Sequence, residues 1–227
     1  MRLRKNIIVL DTETTGDFKQ PLVHDIGYVI IDKDFHILKT VRYLVKNVRD
    51  CLWALNYSEF YRSKSMLYDF EIENGKVEIK PWNEIIDCLK KDIKYYSVNI
   101  ISAYNVAFDF TALNFTNHFL NNGDNYFEKL LDKNMFLCIW NMACDTILST
   151  NEYKEWCKAN NKLTNYGNYI TNAETAYQYI TNDLDFKEDH TSLSDAKIET
   201  NILKYIVENY KGTAKYGLMY NVWKKVQ

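Results

Sequence analysis

The chain predicts an α/β fold, one mixed sheet flanked by helices, and three observations carry that expectation. "IIVLDTETTG" at residues 7–16 is an apolar run that ends in two carboxylates. Three β-like stretches come first, joined by connections short enough for an antiparallel meander. Beyond them, segments of helical spacing alternate with short apolar strands, as in a sheet with helices on its faces.

Asn6–Glu13 is the first strand, followed by Asp25–Asp32 and His36–Lys46, with "DKDF" as the hairpin turn between the latter two. Residues 50–70 switch to helical spacing. Tyr57, Tyr61, Lys64 and Tyr68 fall at i, i+4, i+7 and i+11, one face of a helix. "ENGK" at 73–76 is a turn, and Pro81 opens a helix where a first turn tolerates proline. "NIISAYN" at 99–105 is a fourth strand, followed by a helix from Ala107 to Leu120. "NNGDN" breaks the chain, and Met135–Trp140 is a fifth strand. Helices are expected over Tyr153–Asn160, Ala173–Ile180 and Leu193–Tyr210. No repeat, low-complexity tract or linker interrupts the chain, so a single domain over residues 1–227 is expected.

Hydrophobic residues make up 47% and charged residues 26%, ordinary globular values. A net charge of −2 argues against a protein that coats long nucleic acid by charge alone. It leaves room for one that holds only a strand end. Arg2, Arg4, Lys5, Lys224 and Lys225 read as solvated ends. Cysteines at 51, 88, 138, 144 and 157 form no CxxC pair, which speaks against a disulfide framework or a zinc site and for a reducing compartment. The basic start is followed by too short an apolar run for a signal peptide or a membrane span. The expected location is the cytoplasm, of a bacterium or of its host if the gene is viral, since the Asn-, Lys- and Ile-rich composition suits an AT-rich genome.

Asp11 and Glu13 point to the same side of their strand, where two carboxylates repel unless a cation sits between them. Asp109 follows the fourth strand at the opening of a helix. Asp195 lies in the first turn of the C-terminal helix, with His190 ahead of it. Singly, an acid near a helix N-terminus has an ordinary explanation in capping and the helix dipole. Together, acids placed after strands and at helix starts suggest a shared pocket for hard cations, which prefer oxygen ligands.

"DTETTG", "YNVAFD" and "HTSLSD" resemble the three signature segments of the DnaQ-like 3′–5′ exonucleases, and His190-x4-Asp195 is similar to the mark of their DEDDh branch. The resemblance runs from residue 6 to about residue 207. It implies a ribonuclease H-like fold with a five-stranded sheet of order 3-2-1-4-5, strand 2 antiparallel. It also implies metal-dependent hydrolysis of phosphodiester bonds from a 3′ end, releasing nucleoside 5′-monophosphates. Two Mg²⁺ ions about 3.5–4 Å apart, for which Mn²⁺ substitutes, can activate the nucleophile and stabilise the leaving oxygen. By resemblance Asp11 bridges both ions, Glu13 and Asp195 hold the one carrying the attacking water, and Asp109 acts on the second. His190 is then the general base, since imidazole titrates near neutrality.

For substrate contact, the backbone from Thr12 through Thr14 and Thr15 to Gly16 is expected to approach the terminal nucleotide, with Asn105 and Phe108 lining the same pocket. Asp17 stands where relatives carry a hydrophobic residue that wedges the terminal base, and Phe18 follows it. The stripe containing Tyr61 and Lys64 reads equally as a strand contact and as core. Glu188 and Asp189 raise the alternatives of a solvated acidic loop or a device that lifts the histidine's pKa. His24, His36 and His118 read as structural, the tryptophans as packing residues, and Asp145 as a local cap. DNA 3′ ends are the first choice of substrate, because DTETTG is closest to the proofreading members. RNA trimming is the alternative. A rival of another class is a binding or polymerase-recruiting module that has lost cleavage, although Asp11, Glu13, Asp109, His190 and Asp195 are all present. Any proofreading would serve a polymerase or replication protein in trans.

Overall fold

The computed structural model describes residues 5–15, 20–51, 59–131, 135–211 and 214–227. Strands β1 (Asn6–Thr14), β2 (Val23–Ile31) and β3 (Ile37–Val45) form the antiparallel meander. The turn between β2 and β3 is organised by Asp32, whose Oδ1 accepts from the N–H groups of Asp34 (2.8 Å) and His36 (2.9 Å). β1 also pairs in parallel with β5 (Val98–Ala103), and β5 with β6 (Met135–Cys138). These five strands have the expected order, with β2 antiparallel. A sixth, β4 (Glu78–Lys80), adds in parallel to the outer edge of β3 and goes beyond the five expected. Three residues between a turn and Pro81 are too few to show alternation.

Among the described residues the helices are α1 (Lys46–Arg49), α2 (Glu59–Glu73), α3 (Trp82–Tyr95), α4 (Val106–Leu120), α5 (Tyr126–Leu131), α6 (Ile139–Asp145), α7 (Asn151–Ala159), α8 (Ala173–Thr181) and α9 (Ser192–Asn209), with a short 3₁₀ turn at Val222–Lys225. The third strand stops one residue earlier than expected, and Lys46 opens α1. The expected Met135–Trp140 strand ends at Cys138, whose Sγ accepts from Asn141 N–H and caps α6. The short helices α5 and α6 carry too few turns to announce themselves by periodicity. Among the described residues no helix is long and apolar enough to cross a membrane.

Alternation along β1 divides the core. Ile8 and Leu10 pack with Trp82 and Ile86 of α3 and Leu113 of α4. Ile7 and Val9 pack on the opposite face with Ile202 and Leu203 of α9 and Tyr153 of α7. The side-chain period of two therefore sends Asp11 and Glu13 to the α9 face and Thr12 to the α4 face. β1 also outruns β5: their pairing ends at Val9↔Ser102, after which β5 gives way to α4. The backbone of β1 beyond Val9 is thus open on that side.

Gly27 of β2 lies opposite Asp11 in the register. A Cβ there would stand 2.3 Å from Leu193 N and 2.5 Å from Ser192 C, both in the first turn of α9. The missing side chain lets that turn sink onto the sheet.

Candidate metal centre

Each acid reaches the carboxyl end of β1 by a separate route. Asp11 and Glu13 arrive from the strand itself. Asp195 descends from the first turn of α9, on the face that β1 alternation gives to those two acids. Asp109 comes from the first turn of α4, and its Oδ1 accepts from Thr12 N (3.1 Å) and Thr12 Oγ1 (2.9 Å). It thereby occupies the β1 backbone donor that β5 leaves unpaired. Ligand atoms of Glu13, His190 and Asp195 lie within 4.8 Å of one another. His190 Nδ1 is 3.9 Å from Asp195 Oδ2 and 3.7 Å from Glu188 Oε2.

A fifth acid, Glu199, joins the cluster. It is one helical turn beyond Asp195 and buried, and its charge is the strongest like-charge influence on Asp11. The backbone of Tyr104 faces its carboxylate and favours the charged form against burial. No motif marks Glu199, and its i, i+4 spacing from Asp195 is the one signal the sequence offers.

Crowding and burial push these acids upward. Burial raises Asp109 to about 7 against the pull of the Thr12 hydrogen bonds. Burial, then Glu188 and Asp189, raise Asp195 to about 8, and burial, then Asp195 and Asp25, raise Glu13 to about 9. Asp11 and Glu199 are driven well above the usual carboxylate range, first by burial and then by their acidic neighbours. Asp11 Oδ2, Asp195 Oδ1 and Glu199 Oε2 are buried with no hydrogen-bond partner among the described residues. Buried anionic oxygens without donors are costly, and a divalent cation is the partner their chemistry fits.

His190 sits in a turn with φ 51°, a left-handed conformation stabilised locally by Thr191, whose N–H (3.0 Å) and Oγ1 (2.9 Å) both donate to Asp189 Oδ1. Lys64 of α2 grips the same turn, donating to the carbonyls of Asp189 and His190 (3.1 Å for the latter). Burial, and then the Lys64 charge, lower the His190 pKa, outweighing Glu174 and Asp189. Asp189 thus pulls the histidine upward, as one of the two alternatives for that loop has it, but the net shift is downward. Burial instead raises Glu188 itself to about 7.

A second network braces the site from behind. Asp25, fully buried and opposite Glu13 in the register, receives Arg42 of β3 (Nη2, 2.9 Å), Ser192 Oγ of α9 (2.5 Å) and Tyr68 Oη of α2 (3.2 Å). Arg42 continues to Glu71 of α2 at 2.9 Å. Of the described members of the aromatic stripe, Tyr68 is turned inward. Tyr68 is fully buried and stacks on Tyr61 at 5.6 Å, and Tyr61 Oη accepts from Arg49. Lys64 holds the histidine turn.

Among the other expected contact residues, the Thr12 hydroxyl is committed to Asp109, and Thr15 pairs with Leu22. Thr14 and Phe108 are half-buried, and Asn105 is the N-cap residue of α4. Gly16, Phe18 and Tyr57 lie outside the described residues. His24 is fully buried between Tyr61 and Tyr68, and burial lowers it to about 4. Asp145 is no cap: it receives Lys215 (3.0 Å) and Lys225 (2.7 Å), so Lys225 is tied down rather than a solvated end.

No family model matches the sequence, and no curated protein matches it. Solved structures do. A full-length 3′-exonuclease superposes with TM-score 0.62 at 11% identity, covering 91% of this chain and 83% of that one. Exonuclease I from Methylocaldum szegediense gives 0.59 at 17% identity, over 90% of this chain and 41% of its own. Cell-death related nuclease 4 gives 0.54 at 10% identity, over 93% and 66%. The chain thus spans less than half the length of that exonuclease I and about two thirds of the nuclease. Its six-stranded mixed sheet and flanking helices are the ribonuclease H-like fold of these exonucleases.

Proposed function

We propose that the chain is a metal-dependent 3′–5′ exonuclease of the DnaQ-like DEDDh type, acting on DNA 3′ ends to release nucleoside 5′-monophosphates. The observation that carries this reading is the convergence of Asp11, Glu13, Asp109 and Asp195 on one strand end, with unpartnered buried oxygens beside a histidine. The fold shared with exonucleases supports it. So does E. coli exonuclease I, solved with a dA16 oligonucleotide and, separately, with single-stranded DNA and a zinc ion. Asp11, Glu13, Asp109 and Asp195 would hold Mg²⁺, which supplies positive charge to the scissile phosphate and the attacking water. His190, its pKa lowered by burial and Lys64, is available in its neutral form to accept the water's proton. Thr12 fixes Asp109, and Lys64 fixes the His190 turn. The whole chain acts as one exonuclease domain, with nucleic-acid 3′ ends as its partner.

The test is incubation with 5′-labelled single-stranded DNA and matching RNA, in Mg²⁺ and in EDTA, beside Asp11→Ala. A ladder shortening from the 3′ end, lost in EDTA and about a hundred- to a thousand-fold slower in the variant, is expected, the range ascribed to charge-stabilising groups. The faster ladder names the sugar. Binding without cutting by folded protein, in Mn²⁺ as well, would favour the non-catalytic module.

A further inference from the structure

On the β6 side of the acids a cleft of about 570 Å³ opens between the residues that follow β5 and β6 and the segment 164–173. Tyr104, Trp140, Tyr166, Tyr169 and Trp223 furnish its rings, and its polar groups are amides and hydroxyls. Among the described residues no side chain of the lining carries a carboxylate, ammonium or guanidinium. Two of the rings are held in advance. Tyr104 and Trp140 stack at 6.4 Å, with Tyr104 Oη donating to Thr171 O (2.8 Å) and Trp140 Nε1 to Thr171 Oγ1 (3.0 Å). A third, Tyr166, is 93% exposed on the small hairpin closed by the Leu163–Tyr169 bridge, so packing does not explain it. The cations stand against the outer rings: Lys154 Nζ is 5.4 Å from the Tyr169 ring and Lys224 Nζ 5.8 Å from that of Trp223.

Uncharged rings and amides within, lysines without, is the arrangement that suits a single strand, whose bases stack on aromatics while its phosphates meet ammonium groups. A neutral lining excludes a phosphate or carboxylate from the interior. The cleft also shares a wall with the acid cluster. The backbone of Tyr104 faces Glu199, and Asn105 stands one turn ahead of Asp109.

We propose that this cleft holds one unstacked base of a single-stranded nucleic acid whose 3′ end lies at the carboxylates, an assignment that rests on the exonuclease reading. Lys154 and Lys224 meet the phosphates on either side of that base.

The experiment is fluorescence anisotropy of a short 5′-labelled deoxyoligonucleotide in EDTA, with one abasic residue walked back from the 3′ end. In the wild-type chain an abasic residue at one upstream position is expected to weaken binding about ten-fold. In Tyr166→Ala/Trp223→Ala that position should lose its effect, the intact strand already binding as weakly. Tyr166→Ala alone, at an exposed residue, should show the same coupling in part if the double variant unfolds. Lys154→Gln/Lys224→Gln should flatten the salt dependence and keep the abasic pattern. An identical abasic profile in wild type and ring variants, or no binding of any oligonucleotide, would overturn the proposal. If 3′ trimming persists alongside an identical profile, the cleft assignment falls and the exonuclease reading stands. A coupled position without trimming in Mg²⁺ or Mn²⁺ would leave the base in its cleft and remove the exonuclease reading.

Discussion

Gly27 shows how much one absent methyl group decides. It faces Asp11 across β1 and β2, and it lets Leu193 and Ser192 come down onto the sheet. Gly27→Ala would force backbone against backbone, where no rotamer change relieves the contact. A loss of about 3 kcal/mol or more is expected, the upper end of overpacking costs, read by urea unfolding. Asp195 and His190 would be displaced with the helix start, so any cleavage that needs them should fall further than stability does. Retention of wild-type stability would show that α9 can shift without loss. Nothing in the sequence singles out Gly27, because its role depends on a helix more than a hundred and sixty residues away. Asp11, Glu13, Asp109, His190 and Asp195 are legible for the opposite reason: each sits in a short motif next to a strand or helix start. Glu199 is half legible. Its spacing from Asp195 is in view, but only the fold brings it beside Asp11.

Elements meet at Asp25, where β2, β3, α2 and α9 are joined by Arg42, Tyr68 and Ser192. Its neighbour in the register is Glu13, so the same pairing that builds the hub presents the acidic edge. Asp25→Asn should cost about 3 kcal/mol, because the largely buried Arg42 then has only Glu71 to neutralise it. Glu71→Gln should cost less, since Asp25 remains. Chemical denaturation of the two variants side by side checks the order, and the reverse order would relocate the hub to α2. The strands with alternating or continuous apolar runs are predictable to within a few residues. β4 is not, since its pairing with β3 and not its own pattern makes it a strand. The inward turn of Tyr68 is hidden because helical spacing fixes a face without saying what covers it.

For the whole molecule, the raised carboxyl groups couple folding to pH and to metal. Asp109, Asp195 and Glu13 hold their protons to about 7, 8 and 9 in the folded chain, against ordinary values of 3.8, 3.8 and 4.5. As pH rises above 4 the unfolded chain gives up these protons while the folded one keeps them. The unfolded state then binds fewer protons, and stability falls across the window up to about 9. A divalent cation that binds the ionised carboxylates should reverse this loss. The rise in Tm on adding Mg²⁺ is therefore expected to be larger near pH 9 than near pH 5, and smaller in Asp11→Ala. Equal rises at both pH values would mean that the ion binds elsewhere.

The two rims of the sheet have a consequence for how the protein behaves among its own copies. On one side the border strand is β4, three residues long and beginning and ending in the charged Glu78 and Lys80. On the other, β6 is covered by the C-terminal segment through the Leu137–Tyr216 bridge and the bond from Gly217 N–H to Phe136 O (2.7 Å). Short, charged or covered borders give another chain little backbone to zip onto. A core this rich in β-branched and aromatic residues can then remain dispersed at high concentration instead of growing by strand addition.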